Sequence, residues 1–269
     1  MPDIPFQEGE RRAIFVFDSE GDVILENGDT PPSTDDLEKF TPLLETYGRT
    51  TRDSEPCDLW ALFKREAAMP DGLSFVSRRA LPALLGYDFF NRAGIAYQMM
   101  NLTAHNKYCG VCGGAMSDHA ADRARVCGAC GNMVYCAMSP AVIVAVEKGD
   151  MLLMGRGVNF PPGRYSVLAG FVEPGETLEE TIVREIYEES SVRVKNITYF
   201  GSQPWPFPNS LMLAFRAEWE SGEPTPDGAE LTDVKFFKPD EIPPELPPGV
   251  SISRRLIDSW LAKIREALI

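Results

Sequence analysis

The apolar positions follow two periods, and the switches between them outline the elements. Ile14–Asp18 (IFVFD) and Asp22–Glu26 (DVILE) flank Ser19-Glu20-Gly21 and predict the two strands of a hairpin. Asn27–Ser33 (NGDTPPS) is a loop, and Thr34–Leu44 reads as a short helix. Asp58–Ala68 (DLWALFKREAA) predicts a helix with Leu59, Leu62 and Phe63 on one face, and Phe89–Thr103 predicts another. Further on, Ala141–Glu147 (AVIVAVE) reads as a buried strand with Asp150–Met154 as its hairpin partner. Asn159–Gly163 is a loop, and Tyr165–Leu168 leads to the next element. Strands are predicted at Ile197–Phe200, Leu211–Ala217 and Val234–Phe237, with Gly222–Gly228 a turn-rich loop. A Pro-rich linker and a helix over Ser253–Leu268 close the chain.

The stretch Leu168–Val192 carries the densest information. Thr177 and Glu180 have capping-box spacing, so a helix is predicted from Leu178. Leu178, Ile182 and Ile186 give it an apolar stripe, while Glu185, Glu188 and Glu189 share one side at spacings of three and four. Ile182 and Glu189 are seven apart, which places them within about 20° of each other around the helix. The acidic side therefore abuts the packed side. A divalent cation resolves that conflict, because clustered carboxylate oxygens are the ligands Mg²⁺ or Mn²⁺ takes. Taken alone, E-x-x-E-E also fits an ordinary Glu-rich amphipathic helix.

Cysteine spacing gives a second signal. Cys109, Cys112, Cys127 and Cys130 form C-x2-C-x14-C-x2-C, with Gly113 and Gly131 after each second cysteine. Two such thiolate turns complete a tetrahedral S₄ site that selects Zn²⁺, and four protein ligands leave no open position, so this zinc is structural. Two disulfides are the alternative, disfavoured for a chain expected inside the cell. His105 and His119 are read as surface residues, and Cys57 and Cys136 as plain thiols. Arg78 and Arg79 could meet a phosphate but read first as solvated surface arginines. In SQPWPFPNS (Ser202–Ser210) alternate prolines stiffen an extended run. It is either a hydrophobic plug over the core or an aromatic platform of Trp205 and Phe207, with Gln203 and Ser210 as hydrogen-bonding ends facing a planar base.

Composition narrows the class. At 269 residues, 44% hydrophobic and 25% charged, the chain suits a soluble protein of two domains or one large one. No apolar run approaches the ~20 residues needed to span a bilayer. The opening MPDIPFQEGERR has neither a basic nor an apolar signal region, so a cytoplasmic location without membrane contact is expected. The net charge of −14 excludes affinity built on a global basic field. An anionic substrate must be met locally, by metal ions and by arginines such as Arg156, Arg164 and Arg184.

The frame around the glutamates is specific. Gly170, five residues, Glu176, seven residues, then Arg184-Glu185-Ile186-Tyr187-Glu188-Glu189 resembles the Nudix box, G-x5-E-x7-R-E-U-x-E-E-x-G-U, with U aliphatic. Every specified position matches except the last glycine, where Ser191 stands before the aliphatic Val192. With the cysteine ribbon and SQPWPFP, the chain looks like the NADH pyrophosphatase subfamily of Nudix hydrolases, whose bacterial members also remove NAD caps from RNA. The resemblance implies an N-terminal β-rich α+β domain over 1–104, a central four-cysteine zinc ribbon over 105–138, and a C-terminal Nudix α/β/α sandwich over 139–269. It implies a homodimer and metal-dependent cleavage of NAD(H) to NMN(H) and AMP, with NADH, NAD⁺ and NAD-capped RNA as substrates. Carried over by position, Glu185, Glu189 and the Ala169 backbone oxygen are ligands of catalytic Mg²⁺ or Mn²⁺, and Glu188 is a further ligand or a water-orienting group. Glu230 takes the place of an additional metal-binding glutamate, with Asp233 as rival. Phe171 and Tyr135 resemble an aromatic pair around the nicotinamide, Tyr135 reaching across the dimer. Gln203, Pro204, Trp205, Pro206, Phe207, Pro208, Asn209 and Ser210 line the pocket, Ile252 closes it, and Asp122 and Arg79 match substrate-contacting positions. Cys136 departs from the proline usual after the tyrosine. A catalytically impaired NAD(H)-binding sensor or regulatory protein is the alternative reading.

Overall fold

The computed structural model describes residues 12–33, 37–50 and 58–267. Cys57 lies outside them. The chain divides between Ala137 and Met138 into two compact units.

In the first unit, β1 (Ile14–Phe17), β2 (Val23–Glu26), β3 (Leu44–Arg49), β4 (Leu59–Phe63) and β5 (Leu73–Val76) form a sheet of order β3-β4-β1-β2-β5. The hairpin of β1 and β2 is as predicted. β4 corrects the helix expected over 58–68. A five-residue apolar run is ambiguous by period, and here it runs parallel to β1 in a central slot of the sheet. Of the helix expected over 34–44, residues 34–36 lie outside the described residues, and the remainder forms α1 (Leu37–Phe40) and a 3-10 turn over Thr41–Leu43 with Pro42 in its first turn, after which Leu44 enters β3. Ile14 and Val16 pack with Ile24, Phe40, Leu44, Ala61 and Phe63 on one face. On the other, Phe15 and Phe17 meet Phe89 and Tyr97 of α2 (Leu81–His105), which kinks at Gly86. Arg78 is buried, contrary to the surface reading: Nε donates to the Gly21 carbonyl and the guanidinium lies 3.3 Å from the Tyr97 ring centroid. Arg79 is exposed. A small antiparallel sheet of β6 (Met116–Asp118), β7 (Ala124–Cys127) and β8 (Met133–Tyr135) completes the unit.

The second unit is built on a six-stranded sheet of β9 (Ser139–Lys148), β10 (Met151–Gly157), β11 (Leu168–Phe171), β12 (Arg193–Trp205), β13 (Ser210–Ser221) and β14 (Leu231–Phe237). β9 runs parallel to β13 along one edge and shares its other edge, pairing with β10 near Glu147 and with β11 from Ala141 to Val144. Alternation along β9 divides the core. Val142, Val144 and Val146 pack with Ile182 and Ile186 of α3 (Leu178–Ser190), whereas Ile143 and Ala145 pack with Leu256, Ile257 and Trp260 of α4 (Ile252–Ala267). The sheet thus lies between two helices, and the apolar stripe predicted for α3 is its buried face. β12 extends through Pro204, beyond the strand predicted at 197–200. The edge position of β12 makes this possible, since proline there removes no bond between central strands.

Candidate active site

α3 starts where the sequence places it. The Thr177 hydroxyl accepts from the Glu180 amide at 3.2 Å, and the Glu180 carboxylate accepts from the Thr177 amide at 2.8 Å. It ends on Ser191, whose φ of 59° is left-handed. Serine therefore occupies the conformation the missing glycine would favour, and it still closes the helix by donating to the Tyr187 carbonyl at 2.8 Å.

Arg184 organises the helix side facing the preceding loop. It grips Glu176 with two bonds, Nε to Oε1 at 2.5 Å and a terminal nitrogen to Oε2 at 2.9 Å. The same guanidinium reaches Glu185 at 2.9 Å, Glu188 at 3.1 Å and the Phe171 carbonyl at 3.0 Å. Glu176 also accepts from the Glu173 amide and the Thr181 hydroxyl, and the Arg184 bond foremost among these holds its carboxyl down at about 2. Arg184 is thus committed to carboxylates and does not serve as the anion contact anticipated for it. Arg156 and Arg164 are turned to Thr232 and Glu245.

The three box glutamates differ in environment. The Glu188 side chain is 60% exposed and paired to Arg184. Glu185 lies over β11: a Cβ built on Gly170 collides with its carboxyl group, which is why that position takes glycine. Burial raises the Glu185 pKa against the pull of Arg184. Glu189 is 6% exposed, and among the described residues its carboxylate has neither a hydrogen bond nor an ion pair. Burial first, then the charges of Glu185, Glu230 and Asp227, push it up to about 8. That group fits a divalent cation: a buried acid without a counter-ion, beside further carboxylates. The carboxylates do not close into a tight cluster, and among the described residues only the cysteines bring three or more candidate ligand atoms within 4.8 Å of one another. With Arg184 drawing Glu185 and Glu188 to itself, like charges have no reason to converge further.

Glu230 rather than Asp233 faces this group. Asp233 accepts from the Tyr165 hydroxyl and pairs with Lys235 at 3.2 Å. Asp227, which the sequence reading missed, accepts from the amides of Glu230 and Leu231. Its signal was an aspartate three residues ahead of Glu230, the spacing of a side chain capping its own turn.

The proline-rich run is split between elements. Pro204 and Trp205 close β12 against Leu211 and Ser210, while Pro206, Phe207, Pro208 and Asn209 make the hairpin tip. The Trp205 and Phe207 rings are half-buried, 5.1 Å apart and inclined at 60°. Gln203 corrects the expectation of a hydrogen-bonding end turned to a base. It is 1% exposed, its amide nitrogen donates to the Val250 carbonyl at 2.9 Å, and its oxygen accepts from the Ile252 amide at 2.7 Å. Gln203 therefore ties the start of α4 to β12. Ser210 is buried and Phe171 is 56% exposed.

The remaining positions belong to the first unit. The Cys109–Cys130, Cys112–Cys127 and Cys112–Cys130 sulfurs are 3.7, 3.5 and 3.4 Å apart, and no disulfide links them. Zn–S bonds of about 2.3 Å place the sulfurs of a tetrahedron roughly 3.8 Å apart, so the cluster fits zinc. Both turns are alike: Gly113 and Gly131, at φ of 74° and 75°, donate to the carbonyls of Cys109 and Cys127 at 2.9 Å. Backbone N–H groups of Cys112 and Val111 bring the Cys109 thiol down to about 6. At Cys130 the Asn132 amide pulls the same way, but the Cys112 and Cys127 thiols outweigh it and push it up to about 12. His105 is exposed and His119 is turned to Asp122 at 3.4 Å, so neither histidine enters the cluster. Tyr135 is 60% exposed on β8. Cys136 after it donates its amide to the Arg123 carbonyl at 3.0 Å, a bond proline could not make.

Known proteins agree with this architecture. Residues 138–260 match the NUDIX domain family model, and residues 104–135 match the NADH pyrophosphatase zinc ribbon domain. The chain is 42% identical to an NAD-capped RNA hydrolase NudC of Pseudomonas aeruginosa over 82% of this chain and 79% of that protein. It is 46% identical to the NudC of Photobacterium profundum over 68% and 69%. A NUDIX hydrolase structure from Nitrosomonas europaea superposes with a TM-score of 0.51 at 24% identity, covering 60% of this chain and 93% of that one. With the box helix, the four-cysteine ribbon and these relatives together, the chain belongs to the Nudix hydrolases, in the branch that joins an NADH pyrophosphatase zinc ribbon to the Nudix domain.

Proposed function

We propose that this protein is a metal-dependent NAD(H) diphosphatase, cutting the pyrophosphate of NAD(H) to give NMN(H) and AMP and removing the 5′ NAD cap of RNA by the same cut. The observation that carries this reading is Glu189, buried without a counter-ion on the box helix of a chain 42% identical to an NAD-capped RNA hydrolase. Glu185, Glu189, Glu230 and the Ala169 backbone oxygen hold Mg²⁺ or Mn²⁺. When bound, the ion neutralises charge on the pyrophosphate and makes water a better nucleophile. Arg184 aligns Glu185 and Glu188 by bonding to both, leaving Glu188 at the exposed rim to orient water. Phe171 stacks on the nicotinamide, with Tyr135 supplied by a second copy in a cytoplasmic homodimer. Pro204–Ser210 forms an apolar wall whose Trp205 and Phe207 faces suit a base. Gln203 shapes that wall by fixing Ile252, and Arg79 and Asp122 are substrate contacts by their match to the family pattern.

The sensor alternative loses its support. Ser191 adopts the left-handed cap and Cys136 gains a backbone bond, so neither departure dismantles the site. Incubating the protein with NADH and Mn²⁺ and separating the products tests the assignment. NMNH plus AMP is expected. Nicotinamide plus ADP-ribose, or no products, overturns it.

A further inference from the structure

The loop that carries Glu230 is held more firmly than its exposure implies. Asp227 Oδ1 accepts from the Leu231 amide at 2.8 Å and Oδ2 from the Glu230 amide at 2.9 Å, so one carboxylate spans two successive backbone donors. The Gly228 amide donates to the Leu231 carbonyl at 3.2 Å and closes the turn from the other side. Two outside bonds pin this loop to the rest of the unit. Val158, just beyond β10, donates to the Glu230 carbonyl at 2.9 Å, and Thr225 donates to the Ser190 carbonyl at the end of α3, also at 2.9 Å. The backbone on both sides of Glu230 is therefore fixed relative to β10 and to the helix bearing Glu185 and Glu189.

We propose that Asp227 is a positioning residue for the catalytic ion: by accepting from the Glu230 and Leu231 amides it locks the turn that presents Glu230 to Glu185 and Glu189. The inference rests on the reading of that carboxylate group as the divalent-ion site. Asp227 spends its carboxylate on backbone donors and acts through Glu230, not as a ligand. A charge-assisted pair of bonds of this kind removes freedom that a glutamate on an open loop would lose on binding the ion.

Mn²⁺ titration of the zinc-loaded protein, followed by electron paramagnetic resonance, tests this on D227N, D227E and D227A. Asparagine keeps one oxygen acceptor at the same reach but loses the charge and the second acceptor; glutamate keeps the charge and displaces both acceptors. The expected order of Mn²⁺ affinity is wild type, then D227N about threefold weaker, then D227E and D227A about tenfold or more weaker. The Mg²⁺ concentration for half-maximal NADH cleavage shifts in the same order, by more than kcat changes. Added to E230Q, D227A produces no further loss of Mn²⁺ affinity, because its effect passes through the missing carboxylate. D227E binding better than D227N, D227A binding like wild type, or additive losses in the double variant overturns the proposal. The comparison of D227N with D227E decides even if D227A does not fold. A wild-type protein that binds no Mn²⁺ refutes the underlying site instead, which is a separate outcome.

Discussion

Glu189 shows how one residue is placed against its own stability. A folded-state value of about 8, against an ordinary 4.5, means the fold favours the protonated form. The penalty is absent below the ordinary value, grows as pH rises from there to about 8, and is constant above. E189Q removes it. In zinc-loaded protein without added Mg²⁺ or Mn²⁺, E189Q is expected to melt higher than wild type at pH 8, by on the order of 2 kcal/mol or several degrees, with the gain vanishing toward pH 4.5. The same variant loses at least about 100-fold in turnover, as removal of a charge-stabilising group does. Equal melting at pH 8, or near-normal turnover, would remove Glu189 from the site. Ser191 is the converse case, a residue whose cost the sequence already exposed. The position where the box has glycine takes φ of 59°, so S191G is expected to gain about 1 kcal/mol in a denaturant titration with activity retained. Gln203 was harder to read. Its chemistry suits a base as well as it suits a backbone turn, and only the fold brings Val250 and Ile252, more than forty residues on, against both ends of its amide.

At the scale of elements, legibility tracked how local the deciding interactions are. The start of α3 was readable to the residue because its capping box lies within its own sequence, and its buried face because the apolar stripe does too. β9 was readable because a run of branched apolar residues buried on both faces has few other uses. β4 was not, since Leu59–Phe63 becomes a strand through β1 and β3 on either side, partners distant in sequence. β12 was read short because Ser202–Ser210 reads as a separate stiff run of prolines, and the edge position that lets them join a strand is a property of the whole sheet. The ribbon was legible from spacing alone, and its physics makes a prediction. Among the described residues, only Met116 and Val134 join Cys109 and Cys127 in an apolar cluster, far too little to hold three short strands. Zinc therefore supplies the stability. Removing it with a chelator is expected to abolish hydrogen-exchange protection across residues 107–135 while the β9–β13 amides, packed in their own core, stay protected. Persisting protection of β6–β8 in metal-free protein would show that the ribbon stands without its ion.

For the whole molecule the governing quantity is charge. A net charge of −14 sets 40 acidic residues against 26 basic ones. Three arginines near the box are turned to the protein's own acids or hydroxyls: Arg184 to Glu176, Glu185 and Glu188, Arg156 to Thr232, and Arg164 to Glu245. A protein of this kind has little with which to hold an RNA backbone, because each phosphate contact requires a cation that displaces condensed counter-ions. Recognition must then rest on the dinucleotide end, where metal-held phosphates and aromatic faces act regardless of the length of RNA attached. NAD-capped RNAs of about 5 and about 50 nucleotides with identical first nucleotides are therefore expected to be cleaved with kcat/KM values within about threefold of each other. The dependence on monovalent salt should be shallow, a slope of about one or less in log kcat/KM against log salt, where six to ten phosphate contacts would give a far steeper one. A tenfold advantage for the longer RNA, lost on raising salt, would reveal a basic track and would mean that the local potential beside the site departs from the sign of the molecule as a whole. Matched rates at both lengths and a shallow slope would instead make the pyrophosphate and its two bases the entire recognition element.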